Sequence, residues 1–427
     1  MFELVRNNPE LITINIIMLF VMWFTMRPAI HYADGVVSTK RLYLTLFMWF
    51  VFDLFAFWGS DWFHLYVAYQ DIMKGDPIVE KVYSWIARRL APNNYYLFRI
   101  IVWGTAQLLL WDSFKRLSIS PHLVLALFVG IWLIWFSYGR VSLAMALVFW
   151  GITFYHQPHK IPVLPQIIGS IAILMSFFFH KSSIFLILVT FLAILTKRFN
   201  KIAFAICLIV FPILIRLISE EFVDAIMLTI TDRFEDLDNY ILKAQFYMDS
   251  EIESHGIGPM LGLFLEKIPY YLIAMLGLFA IYNDRSKSGY QNNAAVEDAE
   301  NSIGYEKEND SVNENDDTEK GETVNLDEDI VYQDYCIPED IKVFIRVLFY
   351  IVLLSSFLLF NINISSNTQV IYDRFIKFSM VPSAIVLAYL LDNYKYLRYA
   401  WWTYCLALFG TCYQMIYILY CSIANLK

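Results

Sequence analysis

The chain has 427 residues and a formal net charge of −8, and 58% of its residues are hydrophobic and 18% aromatic. Apolar runs recur from end to end with short polar turns between them, which excludes an ordinary soluble globular domain. No basic stretch interleaved with aromatic residues occurs, so nucleic acid is excluded as a partner. The composition predicts an all-α, polytopic helical membrane protein, since a membrane-crossing helix needs about 20 predominantly apolar residues.

The apolar runs predict about 12 transmembrane helices. In chain order the predicted spans are Leu11–Met26, Leu42–Trp58, Leu97–Trp111, Leu123–Phe136, Ser142–Tyr155, Val163–Phe179, Ile184–Thr196, Ile202–Ile218, Leu261–Tyr282, Ile341–Phe360, Phe378–Leu391 and Ala400–Ser422. Several are short, as tilted or re-entrant segments are.

One polar stretch interrupts this pattern. Residues 283–340 contain eighteen Asp and Glu but only four Lys and Arg. Few apolar residues and a high charge predict a disordered insert, because such a segment cannot bury enough surface to fold alone. The chain therefore divides into a first transmembrane part, 1–282, the acidic insert, 283–340, and a last transmembrane part, 341–427.

The basic residues predict the orientation. The short loops on one side of the predicted membrane hold eleven Lys and Arg, and those on the other side, with the termini, hold four. The long loop Ser60–Tyr96 adds four more to the poorer side, but long loops count for less under the positive-inside rule. The richer side and the acidic insert are therefore expected in the cytoplasm, and both termini outside it.

Polar side chains gather at the predicted outer face. Arg140 opens one span and His180 closes the next, so a down-and-back helical pair returns both to one face. The same face receives further candidates for binding or catalysis: Asp61, Tyr66, Ser182, Arg233, Tyr240 and Arg374.

Charged residues also occur inside or at the ends of the predicted spans: Asp53, Arg99, Arg216, Glu266 and Arg346. Charges within a membrane segment are functional candidates by default. Asp53 lies deepest in its span, and we expect it to pair with an arginine.

Four motifs carry a resemblance to a known family. They are Gly59-Ser60-Asp61 with Tyr66, Glu80 and Tyr83; Arg140-Val141-Ser142-Leu143-Ala144; Phe179-His180-Lys181-Ser182-Ser183; and Tyr372-Asp373-Arg374-Phe375. In this order the chain resembles the EpsG family of polysaccharide polymerases, part of the broader Wzy-like group, over most of its length. Val141 departs from the family, whose members often have Gln there, and the acidic insert is unusually long.

The resemblance implies a GT-C-like membrane glycosyltransferase in the bacterial inner membrane. Such enzymes polymerise oligosaccharide repeat units linked to undecaprenyl diphosphate at the outer face, and a chain-length regulator protein is a candidate partner. Arginine forks suit the leaving diphosphate, which predicts Arg140 and Arg374 as its ligands. His180 is predicted as a base or a phosphate donor, and Asp61 as an alternative base. Tyr66, Tyr240, Ser182 and Arg233 are predicted to bind substrate.

Each of these residues also has a purely structural interpretation. Arg140 could extend to lipid headgroups, and Arg374 could pair with Asp373. His180 could stabilise a tight turn, and Asp61 could cap a helix. Arg233 lies among acidic residues and could form surface ion pairs.

Three other functions remain open at this stage. A glycan ligase would use the same diphosphate chemistry on a different acceptor. A flippase would line its midplane with charge and show related halves, whereas this chain collects its charge at one face. A membrane acyltransferase would need an acid partner for His156 or His159, and the sequence offers none nearby. No cofactor or metal is expected, since the outer carboxylates lack a paired Asp-x-Asp spacing.

Overall fold

The computed structural model describes residues 9–31, 37–55, 66, 69–70, 72–73, 81–136, 141–155, 163–180, 182–196, 267–283, 337–361, 375–393 and 396–424. Within these ranges every element is helical and none is a strand, which confirms the all-α prediction. No helix in the described ranges is both long and apolar enough to cross a membrane. The acidic insert lies outside these ranges except at its two ends.

The first half of the chain folds into short and long helices. These are α1 (Pro9–Met26), α2 (Pro28–His31), α3 (Thr39–Phe55), α4 (Lys81–Trp85), α5 (Tyr95–Arg99), α6 (Thr105–Lys115), α7 (Pro121–Leu127), α8 (Leu133–Phe136), α9 (Val141–Thr153), α10 (Val163–Phe179) and α11 (Ser183–Leu195). The second half contains α12 (267–283), α13 (Glu339–Asn361), a 3₁₀ turn (Lys377–Ser379), α14 (Met380–Asp392) and α15 (Leu397–Ala424).

Three π-helical turns continue helices without a break. Ile86–Leu90 follows α4, Ile100–Gly104 joins α5 to α6, and Phe128–Trp132 joins α7 to α8. Single π-helical turns inside α-helices are rare and are frequent at functional sites. The sequence pattern predicted none of them, and it also assigned α4 to a loop.

Helix starts are fixed by local hydrogen bonds. The Asn94 side chain accepts a hydrogen bond from the Leu97 amide at the start of α5, and the Ser120 hydroxyl accepts one from the Leu123 amide at the start of α7. Pro121 takes the first helical position of α7, where its missing N–H costs nothing. Both starts therefore follow ordinary capping chemistry.

The core is centred on α14 and the run from α7 to α8. From Met380 to Leu391 every residue of α14 is buried, and α14 packs against α7, α13 and α15. The pair α9 and α10 packs against this centre through α6 and α11. A bundle of this kind holds the remaining helices in fixed relative positions.

Two facing glycines let α9 and α10 approach closely. A Cβ added to Gly151 would lie 2.6 Å from the carbonyl oxygen of Gly169, and one added to Gly169 would lie 2.5 Å from that of Gly151. Next to them, the Tyr155 and Ser170 hydroxyls share a hydrogen bond of 2.5 Å. This contact fixes α10 against α9, and α10 carries His180 at its far end.

Apolar side chains also cover the outside of the bundle. On α10 they recur every three or four residues and so form one face of the helix. These exposed residues are Val163, Leu164, Ile167, Ile171, Leu174 and Phe178. Continuous exposed apolar surface of this kind marks contact with a membrane or with another protein.

Candidate functional site

His180 is held in the turn between α10 and α11. Its backbone amide donates to the Ser176 carbonyl at 3.1 Å, and its carbonyl accepts from the Ser183 amide at 3.0 Å. Its ring nitrogen Nδ1 lies 2.5 Å from the Ser182 hydroxyl and accepts the Ser182 amide hydrogen at 3.3 Å. Because a backbone amide can only donate, the Ser182 amide contact favours the neutral tautomer with its proton on Nε2, whereas the Ser182 hydroxyl can serve either tautomer.

Buried serines support this turn from inside. The Ser176 hydroxyl donates to the Ile173 carbonyl at 2.6 Å and lies within hydrogen-bonding distance of the Ser183 hydroxyl, at 3.2 Å. Both serines are fully buried. The turn is therefore fixed on both sides, and the imidazole has one defined orientation.

An aromatic cluster extends from Phe179, the chain neighbour of His180, to Tyr66. We define the aromatic cluster as Tyr66, Tyr69, Tyr83, Tyr95, Phe98 and Phe179. Phe179 contacts Tyr83 edge to face at 5.8 Å between ring centres, and Tyr66 contacts Tyr95 in the same manner at 5.1 Å. Tyr83 and Tyr95 are joined through Phe98.

Two tyrosine hydroxyls of the aromatic cluster have fixed partners. The Tyr69 hydroxyl donates to the Ala91 carbonyl at 2.5 Å, and the Tyr66 hydroxyl accepts a hydrogen bond from the side-chain amide of Gln70 at 2.7 Å. Tyr69 is buried, whereas Tyr66 is half-buried and keeps part of its ring accessible. An accessible aromatic ring beside polar groups is suited to stacking on a sugar.

Arg99 lies beside the aromatic cluster and is 1% exposed. Its guanidinium carbon is 4.7 Å from the Trp103 ring centre and 5.9 Å from that of Tyr95. One terminal nitrogen, Nη2, donates to the backbone carbonyl of Asp53. The other two nitrogens, Nε and Nη1, have no hydrogen-bond partner in the described part of the chain. A buried charge with unused donors lowers the stability of the folded protein.

The other end of the same helical run is built from paired charges. The Asp112 carboxylate accepts hydrogen bonds from Arg116 at 2.6 Å and from the Trp150 indole at 2.9 Å, and lies 3.4 Å from the Lys115 ammonium. Burial raises the pKa of the Asp112 carboxyl, but these hydrogen bonds and the Arg116 charge outweigh it and hold the pKa below its usual value.

A second set of hydrogen bonds ties this end to the last part of the chain. The Ser118 amide and hydroxyl both donate to the Asp340 carboxylate, at 2.8 and 3.0 Å. Asp340 belongs to the first turn of α13, so the final residues of the predicted insert are helical. Arg346, one of the charges noted inside a span, donates to the Ala193 carbonyl at 3.2 Å at the end of α11.

The predicted site residues divide into two groups. Tyr66, His180 and Ser182 lie in the described residues, and the structure brings all three to the end of the bundle that holds the aromatic cluster. The others lie outside the described residues: Asp61, Arg140, Arg233, Tyr240 and Arg374. Phe375, the residue after Arg374, stacks on Phe185 at 4.2 Å between ring centres, five residues beyond His180.

Arg99 and Asp53 are candidates from the sequence, but their positions in the chain do not connect them with Tyr66 or His180. Arg99 contacts the backbone carbonyl of Asp53, so this contact is not the ion pair expected for the Asp53 carboxylate. Tyr95 and Trp103 were missed. The spacing of Tyr95, Arg99 and Trp103, four residues apart on one helical face, is the signal that could have joined them.

Among the described residues no group of three His, Cys, Asp or Glu side chains is placed to hold a metal ion. No known protein family, curated protein or solved structure matches the chain.

Proposed function

We propose that this protein is a multi-pass membrane glycosyltransferase that polymerises oligosaccharide repeat units linked to undecaprenyl diphosphate. The observation that carries the proposal is the assembly of residues from separate motifs at one end of the bundle. Tyr66 and Tyr83 come from the first motif and Phe179 and His180 from the third, and ring contacts connect them. These motifs are the ones through which the chain resembles the EpsG family.

The exposed apolar faces support a place in the membrane. The exposed stripe on α10 extends over the full helix, and α11 and α15 expose further large apolar side chains. Residues 95–115 also form one unbroken helical run, in which α5, a π-helical turn and α6 have 5, 5 and 11 residues. A run of that length is about 30 Å long, comparable to the hydrocarbon core of a bilayer.

We place the aromatic cluster at the outer, extracytoplasmic face and Asp112 at the cytoplasmic face. The asymmetry of Lys and Arg in the short loops supports this orientation. In this arrangement the half-buried ring of Tyr66 faces the compartment in which lipid-linked sugars are polymerised. Tyr66 then stacks on a sugar ring, and Tyr240 and Arg233 are proposed as further sugar contacts.

His180 acts in this proposal as a neutral hydrogen-bond donor. Nδ1 is used by Ser182, so the neutral ring presents an N–H at Nε2 and not a lone pair. A base at Nε2 would need the opposite tautomer and the loss of the Ser182 amide bond. The geometry therefore favours the phosphate or sugar donor role over the base role, and Ser182 is the residue that orients the ring.

Arg140 and Arg374 are proposed to bind the leaving diphosphate. Val141 begins α9, which packs against α10 and α11, and Phe375 stacks on Phe185 of α11. The chain neighbours of both arginines therefore contact the helices on either side of His180. Stabilising negative charge on a leaving group is commonly the largest single catalytic contribution. Asp61 remains the proposed base for the attacking sugar hydroxyl, and no metal or cofactor is invoked.

Deletion of the gene, followed by gel analysis of surface glycan length, tests the proposal. A polymerase mutant is expected to carry single capped repeat units instead of a ladder. Complete loss of the surface glycan would indicate a flippase, and accumulation of long lipid-linked chains would indicate a ligase. Either result, or an unchanged ladder, would overturn the assignment as a polymerase.

A further inference from the structure

One face of the last helix, α15, exposes a row of large side chains. We define the α15 stripe as Tyr399, Trp402, Leu406, Phe409 and Tyr413, each of which is 42–72% exposed. These residues follow one another at intervals of 3, 4, 3 and 4 along the chain. The same intervals separate positions a and d of a coiled coil, through which one helix packs against another. The α15 stripe therefore has the pattern of a helix–helix contact.

The opposite face of α15 attaches the helix to the bundle. It packs against α1, α14 and the π-helical turn Phe128–Trp132. The Tyr404 hydroxyl accepts a hydrogen bond from the Trp23 indole at 3.0 Å, and the Thr411 hydroxyl lies 3.2 Å from the Ile131 carbonyl oxygen. These contacts fix the rotation of α15 about its own axis, so the α15 stripe points away from the bundle.

The composition of the α15 stripe differs from that of a face that meets lipid. The exposed face of α10 consists mainly of Val, Leu and Ile, whereas four of the five residues of the α15 stripe are aromatic. Trp and Tyr that contact lipid concentrate in a belt at the level of the headgroups. Tyr399 and Tyr413 are about 21 Å apart along the helix axis, too far to belong to one belt. Aromatic side chains are enriched in contacts between proteins, which favours a protein partner for this face.

The area and charge of the α15 stripe suit a second copy of the same helix. Its four aromatic residues offer roughly 500 Å² per copy, since a fully exposed aromatic side chain presents about 150–250 Å². Two copies would bury about 1,000 Å², which is the lower bound for a specific interface. From Tyr399 to Leu426 the chain contains no Asp, Glu, Lys, Arg or His. No charge beside the stripe therefore opposes pairing with an identical helix or selects a different one.

We propose that the α15 stripe is the contact surface between two copies of this chain. Two copies in one membrane have the same orientation, so their α15 helices pair in parallel about a two-fold axis. In a parallel pair each a or d residue faces its own counterpart, which places Trp402 opposite Trp402 and Phe409 opposite Phe409. The dimer goes beyond the proposed function, because its formation requires no polymer synthesis.

Cysteine cross-linking of the full-length protein in native membranes tests this contact. The five natural cysteines are replaced by serine, and one cysteine is then introduced by Trp402→Cys or Phe409→Cys. Leu174→Cys, at an exposed position of α10, is the matched control. Mild oxidation should join most of the protein of both stripe variants into pairs of identical chains, and little of the control. Equal cross-linking of the control, or no linked pairs from either stripe variant, would overturn the proposal.

A second measurement keeps the natural cysteines. Native mass spectrometry of the purified protein should show a species of twice the 50.1 kDa chain mass. Trp402→Ala and Phe409→Ala should each raise the dissociation constant of the dimer at least tenfold, because a few large aromatic residues carry most of the binding energy of an interface. Leu174→Ala and Phe178→Ala, on the exposed face of α10, should leave it unchanged. A dimer that tolerates both stripe variants would contradict the proposal.

Other occupants of the α15 stripe give different results. A lipid-facing stripe predicts a protein that is monomeric at every concentration, and a different protein partner predicts a cross-linked species whose mass is not twice that of the chain. Either result would overturn the dimer. The outcome is also separate from the proposed function: a dimer without polymerase activity would refute only the polymerase, and an active monomer would refute only the dimer.

Discussion

The helical run 95–115 has the aromatic cluster at its first end and Asp112 near its last end, which we call the Asp112 end. The two ends differ in how the charged groups are paired. At the Asp112 end each carboxylate is matched: Asp112 by Arg116, Lys115 and Trp150, and Asp340 by Ser118. Beside the aromatic cluster, Arg99 is almost fully buried and two of its nitrogens have no hydrogen-bond partner in the described part of the chain.

We infer from this difference that the end with the aromatic cluster takes part in function, whereas the Asp112 end is structural. Paired and hydrogen-bonded charges add stability and leave no donor for a substrate. A buried guanidinium with unused donors lowers stability, and such groups persist where function requires them. Substitutions should therefore reduce activity at the aromatic cluster and reduce stability at the Asp112 end.

The largest effect is expected from Arg99→Met. The change removes the hydrogen bond to the Asp53 carbonyl and the contact with the Tyr95 ring, both of which position the aromatic cluster. A small displacement of a binding residue can cost about 10²-fold in rate, so polymer synthesis should fall by about that factor. The free energy of unfolding should change by no more than about 1 kcal/mol, because removing a partly unpaired buried charge offsets the lost hydrogen bond. Polymer assays and thermal unfolding of the same preparation check both statements. An Arg99→Met variant that unfolds readily but retains its polymerisation rate would show that Arg99 is structural, which contradicts this prediction.

The next largest effect is expected from substitutions of His180. The size of the loss in polymerisation rate distinguishes a neutral hydrogen-bond donor from a general base. A neutral donor can be replaced by an amide, so His180→Gln should keep polymerisation within about tenfold of wild type, while His180→Ala should lose more. A general base would lose roughly 10²–10⁴-fold in either variant. Initial rates of chain extension by His180→Gln and His180→Ala distinguish the two roles. Ser182→Ala should resemble His180→Gln, because it removes the hydroxyl that orients the ring.

At the Asp112 end the expected effect is on stability. Asp112→Asn should lower the free energy of unfolding by about 1 kcal/mol, since the carboxylate is about a third exposed and partly screened. A pKa that is lower in the folded state than in the unfolded state adds stability above the unfolded pKa, and this stability is lost as the pH falls through the folded pKa. Wild type should therefore lose its advantage over the variant on acidification. Glu339→Gln, at a more exposed ion pair, should change little.

The smallest effect is expected from the acidic insert. Deleting residues 291–327 should leave polymer length and amount unchanged, because the insert is proposed to lie across the membrane from the aromatic cluster. The measurement is the surface glycan ladder in cells that carry the shortened protein at normal levels. Shortened or missing ladders would show that the insert acts on the site.

The sequence pattern was sufficient to place most of the helices. Ile202–Ile218 lies outside the described residues, and the described part of every other predicted span is predominantly helical, because apolar runs of this length favour helices over strands. The α4 helix was missed since Lys81–Trp85 is short and polar at its start. The π-helical turns were missed because hydrophobic periodicity does not distinguish them from α-helix.

The site was predictable only in part. His180, Ser182 and Tyr66 were found from motifs, but their common location depends on Tyr95 and Phe98, whose ring contacts cross the chain and leave no trace in local spacing. The tautomer of His180 was not predictable either, since it depends on a single backbone amide in a tight turn.

The central claim is that this protein joins lipid-linked repeat units at the end of the bundle that holds the aromatic cluster. Purified protein in lipid nanodiscs, given an undecaprenyl-diphosphate-linked repeat unit, tests it most directly. Wild type should produce a ladder of extended products, and Arg140→Lys and Arg374→Lys should produce almost none, because lysine keeps the charge but loses the bidentate fork. Absence of any ladder from folded wild-type protein, or wild-type rates in both variants and in Arg99→Met, would contradict the account.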